Sequence, residues 1–130
     1  MACHIEIDRL KEPVGKQDQY IAAFGGVTVF DFNKDNSVSA RPAKLSEETI
    51  DRLQHNFVMV STGFYRSASE VLKEQDSKSK AHDQSMIDNL HYVKELGHKS
   101  LEALETGNLE RYAAIMHEHW EHKKKRSAGM

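Results

Sequence analysis

The stretch Val27-Thr28-Val29-Phe30-Asp31-Phe32, followed by Asn33-Lys34-Asp35-Asn36 and then Ser37-Val38-Ser39-Ala40-Arg41, leaves the chain few options. β-Branched and aromatic residues alternate over the first six positions, a period of two that suits a pleated strand. The next four are turn formers that tolerate left-handed backbone. The last five return as a partner strand. The pattern predicts a β-hairpin. After about Leu45 the apolar residues shift to helical spacing, so the expected class is α+β: a hairpin and short strands, then a mainly helical C-terminal part. The change near Leu45 is a candidate domain seam, dividing residues 1–45 from 46–130.

Before the hairpin, Ile5, Ile7 and Leu10 fit either a strand or the end of a helix. Lys11-Glu12-Pro13-Val14-Gly15 reads as a turn, and Asp18 to Phe24 as a short helix stopped by Gly25-Gly26. After the hairpin, Ser46 caps a predicted helix with Glu47 and Glu48 in its first turn and Ile50 and Leu53 on one face. Phe57-Val58-Met59-Val60 is wholly apolar and reads as a buried strand. Ser67-Ala68-Ser69-Glu70 fits a capping box. Asp76 to Lys80 is polar and reads as a loop or solvated turn. Ile87, Leu90, Val93, Leu101 and Leu104 form an amphipathic face that Gly97 interrupts. Gly107-Asn108 ends that helix and caps the next, where Leu109, Tyr112, Met116 and Trp120 recur as an expected core stripe.

Composition sets outer limits. In 130 residues there are 18 basic and 20 acidic side chains, net −2. That balance gives no global field for nucleic acid or an anionic membrane surface. No apolar run approaches the roughly 20 residues that span a bilayer. The single cysteine, Cys3, forms no internal disulfide and fits a reducing compartment, with the cytoplasm as the default. The N-terminal residues have neither a basic nor an apolar signal region.

The chemistry concentrates in Gly15-Lys16-Gln17-Asp18-Gln19-Tyr20. Asp18 has two readings: a helix N-cap favoured by the dipole, or a catalytic carboxylate beside the cation Lys16, which could lower its pKa or neutralise phosphate. Ser61-Thr62-Gly63-Phe64-Tyr65-Arg66-Ser67 runs from a strand through a glycine loop into a capped helix, an arrangement that favours anions. Arg66 adds a fork for two phosphate oxygens; otherwise Ser67 only caps the helix and Arg66 is a surface charge. His117, His119 and His122 resemble a metal cluster in composition, but their spacing matches no His-Glu-x-x-His or finger pattern, so no metal is expected. Lys123 to Arg126 is either a solvated helix end or a set of charges near phosphate.

Three stretches carry a resemblance together. They are Ile5-Glu6-Ile7-Asp8-Arg9-Leu10 running into Gly15-Lys16-Gln17-Asp18-Gln19-Tyr20; Ser61 to Ser69; and His117 to Lys124 with Ser127-Ala128-Gly129. In this order and spacing they resemble the GHMP superfamily of small-molecule kinases, nearest to the D-glycero-D-manno-heptose 7-phosphate kinase branch. The resemblance implies phosphoryl transfer from ATP, with Mg, to a sugar hydroxyl. In galactokinase-like relatives a Gly-x-x-Asp-Gln motif places its Asp as the base candidate, which maps onto Gly15, Asp18 and Gln19. Lys16, Gln19, Arg66 and Ser67 become substrate-binding candidates, and a sugar phosphate the implied ligand.

The chain departs from that family where ATP would sit. It has no Pro-x-x-x-Gly-Leu-Gly-Ser-Ser-Ala-like loop, no Walker or dinucleotide glycine pattern, and no C-terminal glycine-rich motif. By resemblance it is an incomplete GHMP-type fold: residues 1–45 the end of the N-terminal domain, 46–130 the start of the C-terminal one. An Asp without an ATP site cannot transfer phosphate by itself, so the expectation is an inactive isolated chain. It would act with another chain carrying the missing loop, or persist as a non-enzymatic remnant that binds a sugar phosphate or a protein. A truncated sheet leaves an edge strand and an apolar face open, and a homo-oligomer is the expected way to cover them.

Overall fold

The computed structural model describes residues 1–63, 72, 76, 77, 79–81 and 83–124. The chain divides into two compact units, Met1–Lys44 and Leu45–Met130. The α+β class is as expected: a two-stranded antiparallel sheet in the first unit and mainly helix among the described residues of the second.

In the first unit, His4–Arg9 forms a π-helix, which settles the open choice between strand and helix. Leu10 N–H donates to the Ile5 carbonyl at 2.9 Å, the wide spacing of a π-turn. Lys11, at φ 56°, makes the left-handed turn that follows. Gly15 does not: its φ is ordinary. Helix α1, Gln17–Phe24, ends at Gly25 and Gly26, whose φ values of 70° and 61° favour residues without a Cβ.

Strands β1 (Thr28–Phe32) and β2 (Val38–Pro42) pair in the register Thr28–Pro42 to Phe32–Val38. The turn is held by its own side chains. Asp35 Oδ1 accepts from the Ser37 N–H at 2.9 Å and the Ser37 hydroxyl at 2.6 Å, while Asn36 takes φ 65°. Period two puts Phe30 and Phe32 on one face. There Tyr20 of α1 meets Phe30 and Phe32 edge-on at 5.9 and 6.0 Å, and Phe24 meets Phe30 at 5.5 Å. These aromatic contacts seat α1 on the hairpin and position its N-terminus.

In the second unit, α2 (Glu47–Asn56) starts as expected, the Ser46 hydroxyl accepting from Thr49 N–H at 3.1 Å. Thr49 is its buried residue, Arg52 and Leu53 are half-buried, and Ile50 is exposed. Arg52 donates to the Gly107 carbonyl at 3.2 Å and to Glu110 Oε1 at 3.1 Å, tying α2 to the turn after the next long helix. Helix α3 (Gln84–Glu105) is capped by Asp83, which accepts from Met86 N–H at 2.8 Å. It runs through Gly97 without a break, because a glycine lowers helix propensity but leaves the backbone hydrogen bonds intact. Thr106, Gly107 (φ 70°) and Asn108 reverse the chain, and Asn108 Oδ1 caps α4 (Leu109–Lys124) through Arg111 N–H at 2.9 Å.

Helices α3 and α4 form an antiparallel pair. Leu96, Ala103 and Ile115 make its core, with Tyr92 and Tyr112 packed against it. The expected stripe on α4 is therefore only half right. Tyr112 packs, but Met116 and Trp120 face solvent and Ile115 is the buried anchor. Two further expectations fail. Phe57 has extended dihedrals, but Phe57–Val60 is exposed and pairs with no described strand, the described strands being β1 and β2. Asp76, Ser77, Ser79 and Lys80 are helical, with Lys80 Nζ and Asp76 Oδ2 2.6 Å apart one turn away. The Ser67–Glu70 box lies outside the described residues.

Candidate functional site

The N-terminal end of α1 holds three of the five candidate side chains. Lys16 occupies the N-cap position without a side-chain cap bond, and Asp18 lies in the first turn. Asp18 therefore does not cap the helix. Its carboxylate is exposed and makes no hydrogen bond or ion pair among the described residues, in the positive end of the helix dipole.

Lys16 does not pair with it. Residues two apart on a helix point to different sides, and the Lys16 ammonium instead donates to the Asn36 carbonyl in the hairpin turn, 3.3 Å away. The cation expected beside Asp18 is held at the β1–β2 turn.

Gln19 is engaged at both ends of its amide. Nε2 donates to Glu6 Oε2 at 2.6 Å, a short charge-assisted bond. Oε1 receives the Cys3 thiol at 4.0 Å. The π-helix thus fixes Gln19. Glu6, Cys3 and Asn36 are the residues that sequence spacing did not reveal, because each reaches its partner from 13 to 20 positions away. The Asp35 carboxyl in the same turn is held below its ordinary pKa by the Ser37 hydroxyl and N–H.

A cleft of about 270 Å³ opens at the other end of α1, lined by Phe24, Gly25, Gly26, Val27, Thr28, Ala40, Arg41 and Pro42. The six-residue rise from Asp18 to Phe24 puts it about 9 Å along the helix from Asp18. It is therefore separate from Asp18. Arg66 and Ser67 lie outside the described residues.

On α4, His122 stacks on Tyr92 with ring centroids 4.0 Å apart, and its carbonyl accepts from Asn89 Nδ2 at 3.1 Å. The Tyr92 phenol donates to Glu118 Oε1, and that bond raises the phenol pKa. No group of three or more His, Cys, Asp or Glu side chains among the described residues is arranged to hold a metal ion. Lys124 pairs with Glu121 at 2.7 Å and lies over the Trp120 ring. Lys125 and Arg126 lie outside the described residues. No helix among the described residues is long and apolar enough to cross a membrane.

Comparison with known proteins shows a similarity to a kinase. The chain is 29% identical over 124 residues, 95% of its length, to the D-glycero-alpha-D-manno-heptose 7-phosphate kinase of Campylobacter jejuni. It covers 36% of that protein, so it spans about a third of the length of the curated relative it matches. No family model matches the chain, and no solved structure matches it. The similarity supports a relationship to a sugar-phosphate kinase.

Proposed function

We propose that this chain is the acceptor-side portion of a GHMP-type sugar-phosphate kinase, with Asp18 as the carboxylate that orients and deprotonates the sugar hydroxyl. The observation that carries the reading is the match over 95% of the chain to a heptose 7-phosphate kinase. The exposed, unengaged Asp18 at the start of α1 supports it. A general base must be free to reach its proton, and this carboxylate makes no hydrogen bond or ion pair among the described residues. On this reading Met1–Lys44 derives from the end of the N-terminal kinase domain, and Leu45–Met130 from the start of the C-terminal one.

Lys16, from its place at the hairpin turn, would meet the phosphate or a ring hydroxyl of the sugar. Gln19 would act mainly as the brace that holds α1 to the π-helix. Arg66 and Ser67 are proposed as the contacts to the sugar phosphate. ATP would supply the phosphoryl group, with Mg offsetting its charge. The residues of this chain do not fit that pair: the sequence has no glycine-rich phosphate loop, and the described residues contain no metal-holding cluster. Turnover would therefore need a glycine-rich loop from outside these 130 residues. The lone thiol suits a reducing compartment such as the cytoplasm.

The test is phosphorylation of heptose 7-phosphate by Mg-ATP. The isolated chain should give none. Addition of a polypeptide bearing the glycine-rich loop should give turnover, and Asp18→Asn should lower it about 10²- to 10⁴-fold. Unchanged turnover in Asp18→Asn would exclude Asp18 as the base.

A second reading follows from the absent loop: a non-enzymatic remnant that keeps a sugar-phosphate or protein-binding role. Calorimetry with heptose 7-phosphate separates the two forms. Binding lost in Arg66→Ala favours a retained anion site; no binding at all favours an interaction role.

A further inference from the structure

Phe57, Val58, Met59 and Val60 are 57%, 81%, 99% and 74% exposed. They follow α2 and lie in neither helix nor strand. Phe57 has dihedrals of −86° and 131°, and its N–H closes the last turn of α2 on the Leu53 carbonyl at 3.1 Å. Among the described residues, no hydrogen bond engages the backbone of Val58 to Ser61. Elsewhere, exposed apolar side chains sit on bonded backbone. Phe24, Met116 and Trp120 lie in helices and Phe32 in β1. Leu10 donates its N–H to Ile5, and the Val27 carbonyl accepts from Ala43. An endopeptidase binds its substrate as an added extended strand. Backbone committed to a helix or sheet must first be freed, whereas open backbone is nicked directly.

We propose that the Met59–Val60 peptide bond is a processing site for an endopeptidase with an apolar primary pocket. Hydrolysis breaks the C–N bond of that peptide. The hydroxyl of water goes to the Met59 carbonyl carbon and its hydrogen to the Val60 nitrogen, leaving a new carboxylate and a new amino terminus. Water is the only co-reactant.

The end of α2 selects the bond. By side chain alone, Phe57 is the larger apolar anchor, and cleavage would follow it. That cut would draw His55 and Asn56 into the protease cleft. Both are helical, and Asn56 Nδ2 donates to the Arg52 carbonyl at 2.7 Å. The last turn of α2 would have to unwind. A cut after Met59 uses Phe57 to Ser61, none of which is helical, and presents the most exposed side chain of the run to the pocket. It leaves the Gly15–Tyr20 motif, the hairpin and α2 on one fragment and α3 and α4 on the other. This site is independent of the kinase reading and does not involve Asp18.

The test is limited proteolysis of the intact chain by subtilisin, a broad-specificity endopeptidase that accepts apolar residues, with the first products identified by mass. The first cut should fall between Met59 and Val60. Val60→Pro should slow that cut at least tenfold, because the bond to proline resists such enzymes. Its far-UV spectrum should match wild type, since the Val60 N–H makes no described hydrogen bond. Phe57→Ala should leave the position of the first cut unchanged. A bond open in the native state is cut without waiting for unfolding, so Ile115→Val, which loosens the helical core, should be cut at the wild-type rate within twofold. A first cut at any other bond, an undiminished rate at Met59 in Val60→Pro, or a rise above twofold in Ile115→Val would each overturn the proposal.

Discussion

Lys16 and Asn36 are joined across the first unit: the ammonium of one donates to the main-chain carbonyl of the other at 3.3 Å. This contact ties the start of α1 to the hairpin turn and separates the only nearby cation of the motif from Asp18. Among the described residues, the Asp18 carboxylate in the first helical turn has no bonded partner.

That separation predicts additivity. Lys16→Met and Asp18→Asn should each change unfolding free energy little. The double variant should equal their sum within about 0.5 kcal/mol, since residues without a shared contact do not couple. Urea unfolding of the four proteins checks this; a coupling well above that scatter would mean an ion pair forms in solution.

Gln19 gives the opposite expectation. Its short bond to Glu6 holds the π-helix on α1. Glu6→Ala or Gln19→Ala should cost about 1 kcal/mol, the lower side of a charge-assisted bond because the pair is partly solvated. Hydrogen exchange should speed up at Ile5 to Leu10 in both variants and stay unchanged in the helices of the second unit.

The hairpin turn should be acid-sensitive. Folding lowers the Asp35 pKa, chiefly through the Ser37 hydroxyl and N–H. The unfolded chain thus binds the proton more readily, so this contribution is present above about pH 4 and fades as pH falls through the folded value. Chemical shifts of Asn33 to Ser37 should move over that acidic window. Asp35→Asn should remove the transition while weakening the turn at neutral pH.

The helical unit should respond sharply at one position of α4 and weakly at its largest side chain. Ile115→Ala should destabilise by about 2 to 5 kcal/mol, as a buried isoleucine emptied to alanine leaves a cavity. Trp120→Ala, on the solvent side, should cost under about 1 kcal/mol. Thermal unfolding of the two variants measures the difference.

Local patterns were legible where one short-range rule acts unopposed. The alternation of Val27 to Phe32 and the turn residues Asn33 to Asn36 specify the hairpin. Ser46 and Asn108 specify helix starts through bonds to backbone three residues on. Reading failed where the outcome depends on what lies opposite. Phe57–Val60 has the composition of a buried strand, but no described strand pairs with it. Tyr112, Met116 and Trp120 share helical spacing, yet the face that α3 covers is centred on Ile115.

The sequence by itself determined the α+β class, the hairpin, the change of pattern near Leu45 and the motif from Gly15 to Tyr20, because each rests on neighbours within a few positions. Only the tertiary structure decided what the motif's side chains do. Lys16 went to Asn36 and Gln19 to Glu6, contacts across 20 and 13 positions that no local period encodes. Among the described residues, those long-range bonds leave Asp18 as the unengaged charge of the motif, at the positive end of α1, where the helix dipole stabilises a carboxylate.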